Sequence, residues 1–426
     1  MARRSIAAAA PLAAAALTSA YLPAPAALAT NGYFTHGVGL RAQGMAGVSI
    51  ALPQDALAAA TNPAGTALVG DRFDVEATWF RPDRGARISG NGFGADGSYD
   101  GNDDAWFLLP ALGYSKALEN GLSWGVALYG NGGMNTGYES NPFAAYGGTG
   151  TAGVDLAQLF LTPSVAWRVG NHSLGVAVTG AYQRFEARGL GPFDNPVFSS
   201  RPGAVTDLGH DESTGWGVKV GWHGQVTPTV ALGATWSSKV AMDRFDDYAG
   251  LFADGGSFDI PENYGAGVSW QATPALTVAA DWQHIRYGDI PAVANSLAPL
   301  LAGVPLGADN GPGFGWKDRD VWKLGVRYRV NATLTLRAGY STMDQPIPAN
   351  ETFINILAPG VIDEHASIGA SWRPRGDEGG EWTFAYTRAL ENTVRGNGSI
   401  PPAFGGGEAD LTMHQDILAV GYSWRF

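Results

Sequence analysis

Residues 417–426 read Ile417-Leu418-Ala419-Val420-Gly421-Tyr422-Ser423-Trp424-Arg425-Phe426. Leu418, Val420, Tyr422, Trp424 and Phe426 share one parity; Ile417, Ala419, Gly421, Ser423 and Arg425 share the other. Successive side chains of a strand point to opposite faces. One face of this strand is therefore large and apolar, and the other mostly small or polar. A soluble sandwich needs polar residues on its solvent face and bulk on its inner one. A strand with lipid outside and a wet lumen inside gives the observed pattern.

Working back from this end, the same alternation predicts strands near 72–81, 105–116, 121–130, 155–169, 173–185, 213–226, 229–240, 262–271, 275–286, 320–330, 333–342, 362–373, 380–389 and 412–426. Fourteen is an even number, as bacterial outer-membrane barrels require. Every Trp except Trp316 falls in a predicted strand and takes the apolar parity, and Val, Leu and Tyr share its side. Connections alternate between short ones, such as Gly170-Asn171, Thr227-Pro228 and Asn331-Ala332, and long ones, such as 186–212 and 287–319. Short periplasmic turns and long outer loops have this rhythm.

Composition agrees. The 426 residues include 60 Gly, 14 Trp and no Cys, and only 15% are charged. Helical membrane spans need about 20 apolar residues in a row, and only the N-terminus offers a candidate. Aromatic residues at 11% and hydrophobic residues at 45% exclude disorder. A net charge of −12 excludes a nucleic-acid partner, since that partner selects basic surfaces. Without Cys there is no thiol catalysis, thiolate metal site or lipoprotein anchor.

Arg3 and Arg4 precede an apolar Ala-rich stretch and then Ala27-Leu28-Ala29, a small-x-small cleavage pattern. Residues 1–29 are thus expected to be a removable export signal, 30–70 a separate segment and 71–426 the barrel. Residues 30–70 lose the alternation. A short helix is expected over 53–60, with Pro in its first turn, stopping before Asn62-Pro63 because a residue preceding Pro avoids helical torsions. Two readings stand: a periplasmic tail, or a plug filling a lumen that fourteen strands leave wide.

Several stretches carry a specific resemblance. They are Gly37-Val38-Gly39-Leu40-Arg41-Ala42-Gln43-Gly44-Met45-Ala46-Gly47, Asn62-Pro63-Ala64, Gly130-Asn131-Gly132-Gly133-Met134-Asn135, Arg244-Phe245-Asp246-Asp247-Tyr248 with Phe258-Asp259-Ile260-Pro261, and Asn355-Ile356-Leu357-Ala358-Pro359-Gly360-Val361. In these the chain resembles the FadL/TodX family of outer-membrane transporters for long-chain fatty acids and hydrocarbons. The resemblance implies an all-β, fourteen-stranded antiparallel transmembrane barrel plugged by an N-terminal hatch, located in the bacterial outer membrane. It implies passive uptake: capture at outer loops, transfer to a lumen pocket, and lateral release where the third strand kinks. Asn62, Pro63 and Ala64 are the matching hatch motif. Gly130, Gly132 and Gly133, placed just after the third strand, suit a kink because Gly marks bends.

A fatty acid needs an apolar pocket and one or two cations for its carboxylate. In 320–330, Trp322, Leu324, Val326 and Tyr328 set the lipid face, so Lys323, Arg327 and Arg329 point inward. Arg337 does so in the next segment, and Lys219 and Arg184 are further inward or rim candidates. Lys323 and Arg327 are the first expected head-group ligands, then Arg184, with Phe34 of the hatch against the tail. The competing reading pairs these cations with Asp281, Asp74, Glu76 or Asp55. Catalytic signals are poor. Gly121-Leu122-Ser123-Trp124-Gly125 lies within a strand rather than the strand-turn-helix elbow that a nucleophile needs, and the seven His have no metal-ligand spacing. No cofactor, metal or catalytic set is expected. Expected partners are a hydrophobic small molecule, outer-membrane lipid and lipopolysaccharide, and the assembly machinery that reads the Phe426 strand. Hydrocarbon uptake by the same route and a general diffusion porin are the alternatives.

Overall fold

A computed structural model describes residues 31–374, 376 and 379–426. The export signal over 1–29 lies outside the described residues. Sixteen strands are present among the described residues: β1 Arg72–Ser89, β2 Gly97–Asp100, β3 Phe107–Ala117, β4 Leu122–Tyr138, β5 Ala152–Val169, β6 His172–Arg188, β7 Asp211–Gln225, β8 Val230–Ser237, β9 Ala241–Met242, β10 Asn263–Gln271, β11 Leu276–Ile285, β12 Arg319–Arg329, β13 Leu334–Met343, β14 Glu364–Trp372, β15 Glu381–Val394 and β16 Glu408–Arg425. The short β2 and β9 edge onto β1 and β7. The other fourteen form one antiparallel ring, closed by β16 on β1 from Arg72↔Arg425 to Ser89↔Glu408.

Parity predicts the faces. Trp79, Trp124, Trp167, Trp270, Trp322, Trp372, Trp382 and Trp424 are exposed on the outside, while Asp74, Glu76, Lys219, Asp281 and Lys323 are buried inside. Several strands run further than expected: β1 continues to Ser89, β4 to Tyr138 and β15 to Val394. Beyond the bilayer the outward face no longer meets lipid, so alternation fades while pairing continues. Trp316, outside the strands, is buried in the long loops and donates Nε1 to Asn355 Oδ1 at 2.6 Å.

The segment before β1 folds inside the ring. It contains α1 Leu40–Gln43, α2 Ala58–Thr61 and a 3₁₀ turn at Pro63–Ala67. The expected 53–60 helix is thus cut to its last turn. Barrel side chains take the backbone groups a helix would have used: Arg72 Nη1 donates to Gln54 O at 2.9 Å, and Ala56 N donates to Asp74 Oδ2 at 2.8 Å. Other wall carboxylates grip the hatch in the same way. Asp281 Oδ2 accepts from Ser49 N at 2.7 Å and Ile50 N at 2.9 Å, and Glu76 accepts from Leu40 N at 3.1 Å. Arg41 is the central hatch cation, with Nη2 2.7 Å from Glu381 Oε1 and Nη1 3.4 Å from Asp74 Oδ1.

Asn62 ties two hatch turns to the wall. Its Nδ2 donates to Ile50 O at 2.9 Å and to Trp222 O on β7 at 3.0 Å, while Oδ1 accepts from Ala64 N at 3.1 Å. This approach requires glycine opposite. A Cβ at Gly221 would lie 1.9 Å from Asn62 Oδ1, and one at Gly175 would lie 2.3 Å from Ala64 N. Gly175→Ala is therefore expected to lift the Pro63 turn off the wall without opening the barrel. Planar bilayers should show raised small-ion conductance while heat-modifiable gel mobility stays that of a folded barrel; unchanged conductance would show that this contact does not seat the hatch.

Candidate functional site

Above the hatch lies a cavity lined by hatch residues and by inward residues of β4 to β8 and β10 to β12. Its apolar wall includes Phe34, Tyr129, Phe160, Val240 and Ile260; Lys219 and Lys323 supply its cations. Tyr129 and Phe160 meet edge to face, with centroids 5.6 Å apart. Both ammonium groups are buried. Lys323 Nζ donates to His36 O at 2.9 Å and Gln283 Oε1 at 3.3 Å, and Lys219 Nζ donates to Ala60 O. Among the described residues neither has a carboxylate within ion-pair distance. Of the acids named as possible partners, Asp281 lines the cavity opposite Lys323 on the ladder but turns Oδ2 to the hatch amides, and Asp74 binds Arg72 and Arg41.

The structure separates the expected ligand residues. Lys323 and Phe34 share this cavity. Arg327 does not line it; it faces a second cavity across the hatch and donates to Thr277 Oγ1 at 3.0 Å. Arg184 does not line it either, and its Nη2 lies 3.3 Å from Asp155 Oδ2. Lys219, a secondary candidate from parity, takes the place given to Arg327. Tyr129 and Phe160 went unremarked in the sequence because inward aromatics look like ordinary strand residues.

Gly130, Gly132 and Gly133 lie inside β4 rather than after it. Asn131 is an extra residue there, and the register on β5 shifts between Gly130 and Gly132. β3 pairs with β4 only from Leu112↔Leu128 to Ala117↔Ser123. Beyond Leu128 the hatch supplies the partner: Thr35 N donates to Asn131 O at 2.7 Å and Gly133 N to Tyr33 O at 2.9 Å. Leu109, Pro110, Ala111, Tyr129 and Gly130 border the resulting gap between β3 and β4, where Thr35, Gly37 and Val38 form its inner side. These three hatch residues also line the lumen cavity. Residues 35–38 are thus a thin partition between the lumen and a side opening.

His36 sits in this partition. Its ring stacks on His365 at 5.6 Å, with Nε2 3.3 Å from Thr387 Oγ1. Burial, reinforced by the Lys323 ammonium, lowers its pKa to about 3. Gly47 permits the fit: it has φ +87°, and a Cβ there would lie 1.8 Å from His36 O.

A closed outer-membrane barrel with an internal plug, an amphipathic lumen cavity and a thin-walled side opening defines a transporter for hydrophobic compounds. The chain belongs to the outer membrane protein transport protein family (OMPP1/FadL/TodX), whose model matches residues 15–426. Among curated proteins no match is found. Solved structures with the same fold include the Pseudomonas putida toluene transporter TodX, at 18% identity and a TM-score of 0.66, covering 92% of this chain and 99% of that one. A Pseudomonas aeruginosa FadL homologue is 16% identical with a TM-score of 0.69, covering 93% and 100%. The Ralstonia pickettii toluene transporter TbuX is 18% identical with a TM-score of 0.64, covering 92% and 99%. The protein is therefore placed in the outer membrane, and members of its family are transport channels.

The low pKa of His36 makes a pH prediction. A released hatch would bind a proton on His36 below about pH 6.5, whereas the docked one resists down to about pH 3. Docking support from this group is complete above that upper value and is lost progressively as pH falls between the two. Small-ion conductance should rise as pH drops from 7 to 4, and rise less steeply in His36→Asn, in which Lys323, Asp281 and His365 still face the site. Superimposable profiles would remove His36 as the sensitive group.

Proposed function

We propose that the protein takes up long-chain fatty acids passively across the outer membrane. The carrying observation is the pair of buried ammonium groups, Lys219 and Lys323, in one cavity with Phe34, Tyr129 and Phe160; Asp281 lines it too, but among the described residues neither ammonium has a carboxylate within ion-pair distance. A monocarboxylate with a long tail satisfies both halves of that surface. Exposed apolar residues on outer loops, Phe93 and Val197, suit first capture. A bound carboxylate competes with His36 O for Lys323, loosening the 35–38 partition and opening the way to the β3–β4 gap. Lateral exit there keeps the tail out of water.

Hydrocarbon uptake by the same route is the second reading. It is favoured by the aromatic cluster next to the cavity, where Tyr33 lies 5.1 Å from Tyr287 and 5.9 Å from Trp316. A diffusion porin fits poorly with a lumen occupied by the hatch.

Oleate and hexadecane titrations distinguish these readings. Removing a hydrogen bond to a charged group costs about 1.5–3 kcal/mol. Lys219→Gln and Lys323→Gln should each weaken oleate binding by roughly tenfold to a hundredfold and leave hexadecane binding alone. Arg184→Gln, whose cation Asp155 holds elsewhere, should bind oleate like the parent. Parental oleate affinity in both Lys variants would reject the head-group assignment; a parent that prefers hexadecane would change the substrate class.

The exit has its own test. Deleting Asn131 removes the residue that breaks register between β4 and β5. Oleate should bind the folded deletion variant as it binds the parent, while uptake into cells or liposomes falls. Undiminished uptake would exclude the β3–β4 gap as the route.

A further inference from the structure

A second cavity lies on the other side of the hatch, at the end of the barrel that carries the short turns. It is lined by one carboxylate, Glu381, and seven guanidinium groups. This is a large share of the 27 Lys and Arg in a chain whose net charge is −12. Arg41, Arg72 and Arg373 are engaged by Asp74 and Glu381. The other four, Arg327, Arg329, Arg337 and Arg425, have no carboxylate within ion-pair distance among the described residues. Arg337 is the telling one. It is only 7% exposed, and it donates to neutral groups, Gln54 Oε1 at 3.1 Å and Ser371 Oγ at 2.8 Å.

Arginine stays charged at any ordinary pH. Arg337 is buried, Arg327 half-buried, and Arg329 and Arg425 exposed at the mouth; like charges gathered around one space repel one another, and the buried one is costly without a counter-charge. Arginine forks match the geometry of oxyanions and bind them in pairs of hydrogen bonds. Thr277, Thr333 and Thr335 add hydroxyl donors to the same lining. Apolar lining is confined to a few side chains such as Pro53, Leu68 and Val69, so a long tail finds little wall here. The transported amphiphile and a folded partner both fit worse than a compact, multiply charged anion.

We infer that this arginine-lined chamber is a binding site for a multivalent phosphate-type anion, on the periplasmic side of the hatch and distinct from the lumen cavity. Its source is either a free anion such as pyrophosphate or the phosphomonoester headgroup of an inner-leaflet lipid. Because Arg41 belongs to the hatch and Arg337 holds hatch Gln54, a bound anion bridges hatch and wall and keeps the hatch seated. The inference does not depend on the substrate of the lumen cavity.

The test uses the full-length mature protein, purified in detergent without phosphate, and pyrophosphate as the probe in isothermal titration calorimetry. Saturable binding is expected, tighter than for acetate and weakened by salt. Arg327→Gln and Arg337→Gln should each lower pyrophosphate affinity by about tenfold or more, whereas Arg286→Gln, in an outer loop, should not. Heat-modifiable mobility confirms that each variant is folded, and Arg327→Gln, whose guanidinium donates to Thr277 Oγ1 on the wall, tests the site even if Arg337→Gln loosens the hatch. Pyrophosphate should also lower small-ion conductance from the periplasmic side. Nanodiscs with and without phosphatidic acid separate the sources: displacement of pyrophosphate by the lipid assigns the headgroup, and no displacement assigns the free anion. No saturable binding, equal affinity for acetate, or parental affinity in the Arg327 variant would overturn the site.

Discussion

The wall carboxylates that accept hatch backbone amides are the contacts on which the rest of the structure rests. A ring of fourteen strands leaves a lumen wider than side chains alone can fill. A folded segment placed there brings backbone N–H groups into a space where each needs a partner. Glu76, Asp74 and Asp281 supply those partners from β1 and β11. Hydrogen bonds to charged groups contribute about 1.5–3 kcal/mol each, enough in combination to outweigh a water-filled lumen. Asp281, across the ladder from Lys323, directs Oδ2 to those amides and stands beyond ion-pair distance of the ammonium. The way the plug is held thus leaves the cations of the lumen available.

The partition at 35–38 follows from the same economy of contacts. β4 cannot continue its ladder with β3 past Leu128, because Pro110 lacks an amide and the Asn131 bulge turns the strand. Unpaired strand edges within a membrane barrel are costly. Hatch residues Tyr33 and Thr35 take up the orphaned groups of Asn131 and Gly133. One short stretch therefore completes the wall, lines the lumen cavity and contacts Lys323 through His36. A ligand that competes for Lys323 acts on the wall itself.

Period-2 alternation made the ring, its strand number and its inward residues legible, because lipid imposes one sign on every outward position. Parity carries no height, however. Lys323 and Arg327 lie on one face of β12, four residues or about 13 Å apart along the strand, and the hatch passes between their two cavities. Only the docked hatch shows that they serve different spaces. The 53–60 stretch misled for a related reason. Its local helix preference is real, but Arg72 and Asp74, distant in neither sequence nor space, take its backbone groups. The glycines around 130–133 announced a bend, whereas their place within β4 depends on the ladder with β5 and their other edge is covered by a hatch segment nearly a hundred residues upstream.

The two cation sets differ in chemistry as well as in place. Lysine is a compact point charge on a flexible apolar stem, and its stem can line a tail-binding wall while its head meets a single carboxylate. Arginine presents a planar fork suited to oxyanions with several acceptors. Lys219 and Lys323 stand among Phe34, Tyr129 and Phe160 with Asp281, and the guanidinium groups stand among threonines and a serine with Glu381. An amphiphile that crossed the hatch would exchange an apolar wall for a polar one and gain nothing for its tail. The periplasmic chamber is thus a poor continuation of the lumen path, whereas the gap beside β4 meets the lumen cavity through shared residues, Thr35, Gly37 and Val38.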